Sequence, residues 1–189
     1  MSGAYNALLC RVKREITYRL FLCLIAMGMA MSCNKDNREE LVELNYSVDF
    51  EIQPGLNTFD THFFVISPLN SQFDTRLASS GHTKDEVGAV EPKEGNLASV
   101  FKDVNLDFIH KVSVYIFDPF NPADKIEFFY LDPIPYKSKT VIHLFPGIAN
   151  LYDWIDRGFF GVEVRLNFRD ITPALTQMRL EFDLRTMSK

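Results

Sequence analysis

The feature that most constrains this chain is the alternation between residues 42 and 52. Val42, Leu44, Tyr46, Val48, Phe50 and Ile52 fall on one side, and Glu43, Asn45, Ser47, Asp49 and Glu51 on the other. A period of two over eleven residues is a half-buried β-strand, apolar on one face and wet on the other, and no helix can sort these residues so. Pro54-Gly55 closes it with a turn. The same period returns in Val162, Val164, Leu166 and Phe168, and again in Met178, Leu180, Phe182 and Leu184, each interleaved with charged or amide residues. Thr61 to Ser67, Val112 to Phe117, Lys125 to Leu131 and Lys139 to Phe145 are further β-rich stretches, each stopped at or just before a proline.

Helical signals are sparse. Asn150 to Arg157 reads as a short helix, with Asn150 at the N-cap and Gly158 at the C′ position. Thr83 and Glu86 fit a capping box for one turn from Lys84. Polar and small residues dominate 69–100, which reads as a long loop region. The expectation is a mainly β domain over 41–189, an antiparallel β-sandwich of about seven strands with one or two short helices. A closed barrel is the structural alternative. Sixteen Phe, five Tyr and one Trp after residue 33 can fill such a core without disulfides.

The first 32 residues have a different character. Arg11, Lys13, Arg14 and Arg19 precede an uncharged run from Leu20 to Met31, followed by Ser32 and Cys33. A basic region, a short apolar core and a small residue make a secretory signal peptide. The run is shorter than the roughly 20 residues that cross a bilayer. Ala30-Met31-Ser32-Cys33 resembles a bacterial lipobox. That resemblance implies cleavage before Cys33 and a lipid on its sulfur, with 33–40 as a lipidated flexible tether. Removing 1–32 takes away four cations and Glu15, leaving 16 basic against 24 acidic residues, a net of −8 where the whole chain has −5. Cys10 and Cys23 leave as well, so no thiol remains for a disulfide, a metal site or a nucleophile. The acidic balance argues against nucleic acid as a partner.

Ser32-Cys33, the polar tether, Thr61-His62-Phe63-Phe64 and the stretch from Asp107-Phe108-Ile109 to Val114-Tyr115-Ile116 resemble small β-rich envelope lipoproteins of Bacteroidota. The resemblance implies an address, the outer membrane, facing the periplasm or the cell surface, and it implies a fold. It implies no activity.

Candidate chemistry is thin. Asp60 and His62 share a strand face, and Asp153 and Asp156 share a helix face. Neither pair brings the further ligands or the spacing of a metal or hydrolase site. Arg165, Arg169, Arg179 and Arg185 concentrate positive charge on the last two strands, where cross-strand pairing with Glu and Asp is the ordinary explanation. Tyr136, Tyr152 and Trp154 are the candidate binding-surface residues, Tyr136 on a Pro-stiffened loop and the other two on the short helix. The sequence therefore predicts a non-enzymatic lipoprotein with no cofactor beyond the lipid on Cys33. It would be held on a membrane and act as a binding or accessory subunit for an envelope protein partner. The alternative is a ligand-binding module that holds a small hydrophobic ligand or a glycan between the sheets or at a loop end.

Overall fold

The computed structural model describes residues 38–101, 104–136 and 140–189. The segment 1–32 expected to be a signal peptide, Cys33 and most of the expected tether lie outside the described residues. Arg38–Lys189 forms one compact unit. It contains eight strands: β1 (Glu40–Ile52), β2 (His62–Asn70), β3 (Val87–Ser99), β4 (Ile109–Asp118), β5 (Asn121–Leu131), β6 (Val141–Pro146), β7 (Phe159–Phe168) and β8 (Thr176–Ser188). Two short helices, α1 (Phe73–Ser79) and α2 (Tyr152–Ile155), and a 3-10 turn at Lys84–Glu86 lie between strands.

The strand order is β1-β8-β3-β6-β5-β4-β7-β2, antiparallel throughout. Pairing of β1 with β8, β2 with β7, β3 with β6 and β4 with β5 describes one long antiparallel ribbon. Rolling that ribbon adds the β3–β8 and β4–β7 ladders, which is the jelly-roll winding. The sheet nearly closes: its two end strands meet through the rings of Phe50 and Phe64, 4.9 Å apart.

The fold is mainly β and antiparallel, as expected, with eight strands where about seven were expected, in one nearly closed, barrel-like sheet. The structure corrects the expected loop at 69–100, which holds α1, the 3-10 turn and the thirteen-residue β3. The reason is visible in β3 itself. Register shifts at Val87/Ala89 and Pro92/Glu94 break its period of two, and its inward residues include Gly95 and Ser99 beside Leu97. Pro92 lies at the second shift, beyond the Gly95–Ala98 segment that pairs with β6, so its missing N–H leaves no ladder bond unmade there. Gly95 is required by packing: a Cβ there would lie 2.9 Å from the ring of Phe129.

Arg38 pairs with Glu91 at 2.8 Å, the Glu39 amide donates to Ser188 Oγ at 2.9 Å, and β1 begins at Glu40. Around α2, Asn150 Oδ1 accepts from the Tyr152 amide but also from the Val90 amide, and the Leu151 amide donates to the Val90 carbonyl. The helix start is thus pinned to β3. Gly158 takes a φ of 83°, as its position after the helix requires.

The core is filled from both halves of the roll. Phe182 on β8 lies 5.0 Å from the Tyr46 ring on β1 and 5.3 Å from the Phe128 ring on β5. Tyr46 meets Phe160 on β7 edge-on at 5.2 Å and donates its hydroxyl to the Ser71 carbonyl at 2.6 Å. Burial pushes the Tyr46 phenol well above its ordinary pKa.

Phe117 on β4 packs flat over Gly161 on β7, where a Cβ would lie 2.1 Å from the ring. Gly161→Ala is therefore expected to destabilise the fold by about 1–3 kcal/mol in urea denaturation. Phe117→Leu in the same chain should recover part of that loss, because the shortened side chain vacates the space the new methyl needs.

Candidate functional site

Rolling the ribbon sends the β1–β2, β3–β4, β5–β6 and β7–β8 connections to one end. Backbone bonds there join three of the loops to one another and hold the β5–β6 loop to β4. The Gly55 amide donates to the Thr172 carbonyl at 2.9 Å, Arg169 to Phe108 at 2.8 Å, Ile134 to His110 at 2.8 Å and Val100 to Gln177 at 2.9 Å. The chain enters the domain at the opposite end, with Arg38 and Glu39 beside Ser188 and Lys189. The thirteen residues of β1 separate the two ends, a span of about 40 Å.

Each of the four gathered loops exposes a large apolar side chain. Phe59 is 93 % exposed, Phe101 74 % and Tyr136 75 %, and Ile171 and Leu175 are exposed on the β7–β8 loop. Other exposed apolar residues are spread more thinly, with Phe120, Ile148 and Phe159 at the opposite end and Phe63, Val65, Tyr130 and Phe145 on outward strand faces. An open cavity of about 330 Å³ sits at the four-loop end, lined by Ser99, Phe101, Val104, Leu175, Thr176 and Gln177. Ser99 Oγ is buried and has no hydrogen-bond partner among the described residues.

The three aromatic candidates are not brought together. Tyr152 packs edge-on against Phe73 of α1 at 5.9 Å, and Trp154 donates its indole N–H to the Asp124 carbonyl at 3.3 Å. Both rest against the core at the chain-entry end. Tyr136 stands on the four-loop end, with the Arg169 guanidinium 4.4 Å from its ring centre. Cys33 lies outside the described residues.

The remaining candidates are absorbed locally. Asp60 accepts from the Asn57 amide group at 2.7 Å, while His62 contacts the Asn57 carbonyl through Nε2 at 2.9 Å and lies over the Phe168 ring. Asp156 pairs with Lys84 at 2.6 Å, and Lys84 also holds Asp74 at 2.7 Å. Among the described residues, no group of three His, Cys, Asp or Glu side chains is placed to hold a metal ion.

The arginines of the last two strands separate, because β7 and β8 sit in different halves of the roll. Arg179 grips Asp49 with two bonds of 2.7 and 2.8 Å, and Arg185 reaches Glu91 at 3.0 Å. Arg165 bonds Glu163 at 2.7 Å and stacks on the Tyr115 ring at 3.9 Å. Arg169 is the exception, with no carboxylate partner among the described residues.

The loop-end residues other than Tyr136 were not legible in advance. An apolar residue in a loop has no period, so sequence does not distinguish a plug from an exposed contact. The only signal is placement: Phe59 lies within a polar run, and Ile171 and Leu175 flank Pro173.

Against known proteins, no family model matches the chain and no curated protein matches it.

Glu163 is the one buried carboxylate in the candidate clusters. Burial pushes its pKa up, but bonds from Lys125 at 3.0 Å and Arg165 at 2.7 Å outweigh that and hold it below the ordinary carboxylate value. A depressed folded pKa contributes stability above the unfolded pKa, and that stability is lost as pH falls through the folded value. Glu163→Gln should therefore cost about 1–3 kcal/mol near neutral pH. In denaturant titrations the gap to the parent should close as pH drops below about 4.

Proposed function

We propose that this chain is a lipid-anchored envelope module, without enzymatic activity, that binds a protein partner through its four-loop end. The observation that carries this reading is the gathering of Phe59, Phe101, Tyr136, Ile171 and Leu175, from all four loops, at the end opposite chain entry. Loops joined by backbone bonds lose little entropy when they dock, so exposed apolar anchors on them are effective contacts. A chain held through Cys33 would leave the bilayer a few residues before Arg38. The apolar end would then stand about 40 Å farther out, the length of β1, and would face the aqueous compartment.

The expected sandwich fits this reading as a flattened form of the roll, β1-β8-β3-β6 against β5-β4-β7-β2. Only two residue pairs, Phe129↔Pro146 and Tyr130↔Phe145, join β5 to β6, which supports it. A ligand held between these layers has little support, since Phe128, Phe129, Phe160 and Phe182 fill that space. A ligand at the loop end is the second reading, favoured by the cavity beside Phe101 and Leu175. The non-enzymatic assignment rests on the candidate pairs being occupied: Asp60 and His62 both serve Asn57, and Asp156 serves Lys84.

Cys33→Ala should move the protein from the membrane fraction to the soluble fraction, and retention on the membrane would overturn the anchor. Protease shaving of intact cells assigns the face, with degradation for surface exposure and survival for the periplasm. A photo-cross-linking residue at Ile171 should yield a discrete protein adduct in intact cells. Phe101→Asp should abolish that adduct, and the same cross-linker at Ile148 should give none. Equal adducts from both positions would overturn the loop-end assignment.

A further inference from the structure

Among the described residues, the four-loop end carries one cation that the fold positions without neutralising. Arg169, the first residue after β7, donates from Nη2 to the Ile134 carbonyl at 2.5 Å. Its guanidinium lies 4.4 Å from the centre of the Tyr136 ring, and its backbone amide is fixed to the Phe108 carbonyl at 2.8 Å. Its Nε is buried without a hydrogen-bond partner among the described residues. Arg157, Arg165, Arg179 and Arg185 each have a carboxylate within 3.0 Å, and Arg169 has none among the described residues. A guanidinium offers five N–H donors in a planar fork that matches a carboxylate; here Nε–H is buried and one Nη2 hydrogen goes to Ile134, which leaves three Nη hydrogens for a ligand. This one is already oriented by a carbonyl and an aromatic face, so pairing it would immobilise little further side-chain freedom.

Charge complementarity decides the occupant. Tyr136 and Ile171, the latter two residues along the chain, expose apolar side chains at this end, and the exposed Asp170 between Arg169 and Ile171 is not paired with the guanidinium. We infer that Arg169 recognises a carboxylate carried on an otherwise apolar peptide segment of the protein partner, the carboxylate on the guanidinium and the apolar side chains against the loops. This inference deepens the loop-end reading and rests on it for the nature of the partner. Tyr136 serves as a positioning residue that holds the guanidinium plane.

The test uses the full chain, isotope-labelled and carrying Cys33→Ala so that no acyl chain competes. The probes are acetyl-Leu-Phe-Asp-amide, its Asn analogue and inorganic phosphate, followed by NMR through the Arg169 Nε–H and the Ile134, Tyr136 and Ile171 amides. The Asp peptide should shift these signals saturably, and the Asn analogue should bind at least tenfold more weakly. Arg169→Gln, whose amide can still donate to the Ile134 carbonyl, should remove that discrimination while the remaining spectrum stays folded. Tyr136→Ala should weaken the Asp peptide severalfold more than the Asn analogue.

Equal binding of the two peptides, no binding of either, or discrimination that survives Arg169→Gln would overturn the proposal. So would phosphate acting at lower concentration than the Asp peptide, which would mark an inorganic-anion site. The two readings fail separately. An Ile171 cross-link that persists in Arg169→Gln at full yield leaves the loop-end partner standing and removes Arg169 from its recognition.

Discussion

The structure depends on the pairing of its first strand with its last. β1 and β8 run antiparallel in continuous register from Val42↔Thr186 to Ile52↔Thr176, so residues more than 120 positions apart become neighbours. This ladder places Leu44, Val48, Phe50 and Ile52 on the same inward face as Leu180, Phe182 and Leu184. Phe182 then meets Tyr46 on its own side and Phe128 on the other half of the roll. Without the β1–β8 ladder, β1 would be a lone edge and the aromatic centre would lose one wall. Contacts of such long sequence separation close late and slowly, because loop entropy is lost before they form.

The same winding explains why one end can serve as a binding face. In a rolled ribbon the connections alternate between ends, which sends four loops to one end and three connections, with both helices, to the other. The helix-bearing end is held by charge: Lys84 spans Asp74 and Asp156, and Arg157 reaches Asp118. The four-loop end is held by backbone bonds between loops. Polar side chains such as Thr172 and Asn57 reinforce those loops, while five large apolar ones are exposed. Among the described residues, Arg169 is the one cation of that end fixed in place without a counter-charge.

Much of the fold was legible from residues alone. β1 and β8 were readable because each has one buried and one wetter face, and β7 because its apolar residues alternate with Glu163, Arg165 and Asn167, although Glu163 is itself buried. β3 was not readable, although it is as long as β1. Its bulges at Val87/Ala89 and Pro92/Glu94 shift the inward face, and Gly95 replaces an apolar side chain to make room for Phe129. α1 was hidden for a related reason: only Phe73 and Leu77 are buried on its seven residues, too few to show a helical period.

The sequence by itself determined the β class, the positions and inward faces of the well-patterned strands, and many residues of the aromatic core, because alternation is a local property of the pleat. Only the tertiary structure decided that eight strands form one rolled sheet, since strand order is set by which apolar faces can be buried together. It also separated Tyr136 from Tyr152 and Trp154, sent Arg179 and Arg185 to carboxylates on neighbouring strands, and left Arg169 without one. Those outcomes depend on long-range pairing, which brings together residues that the linear chain keeps apart.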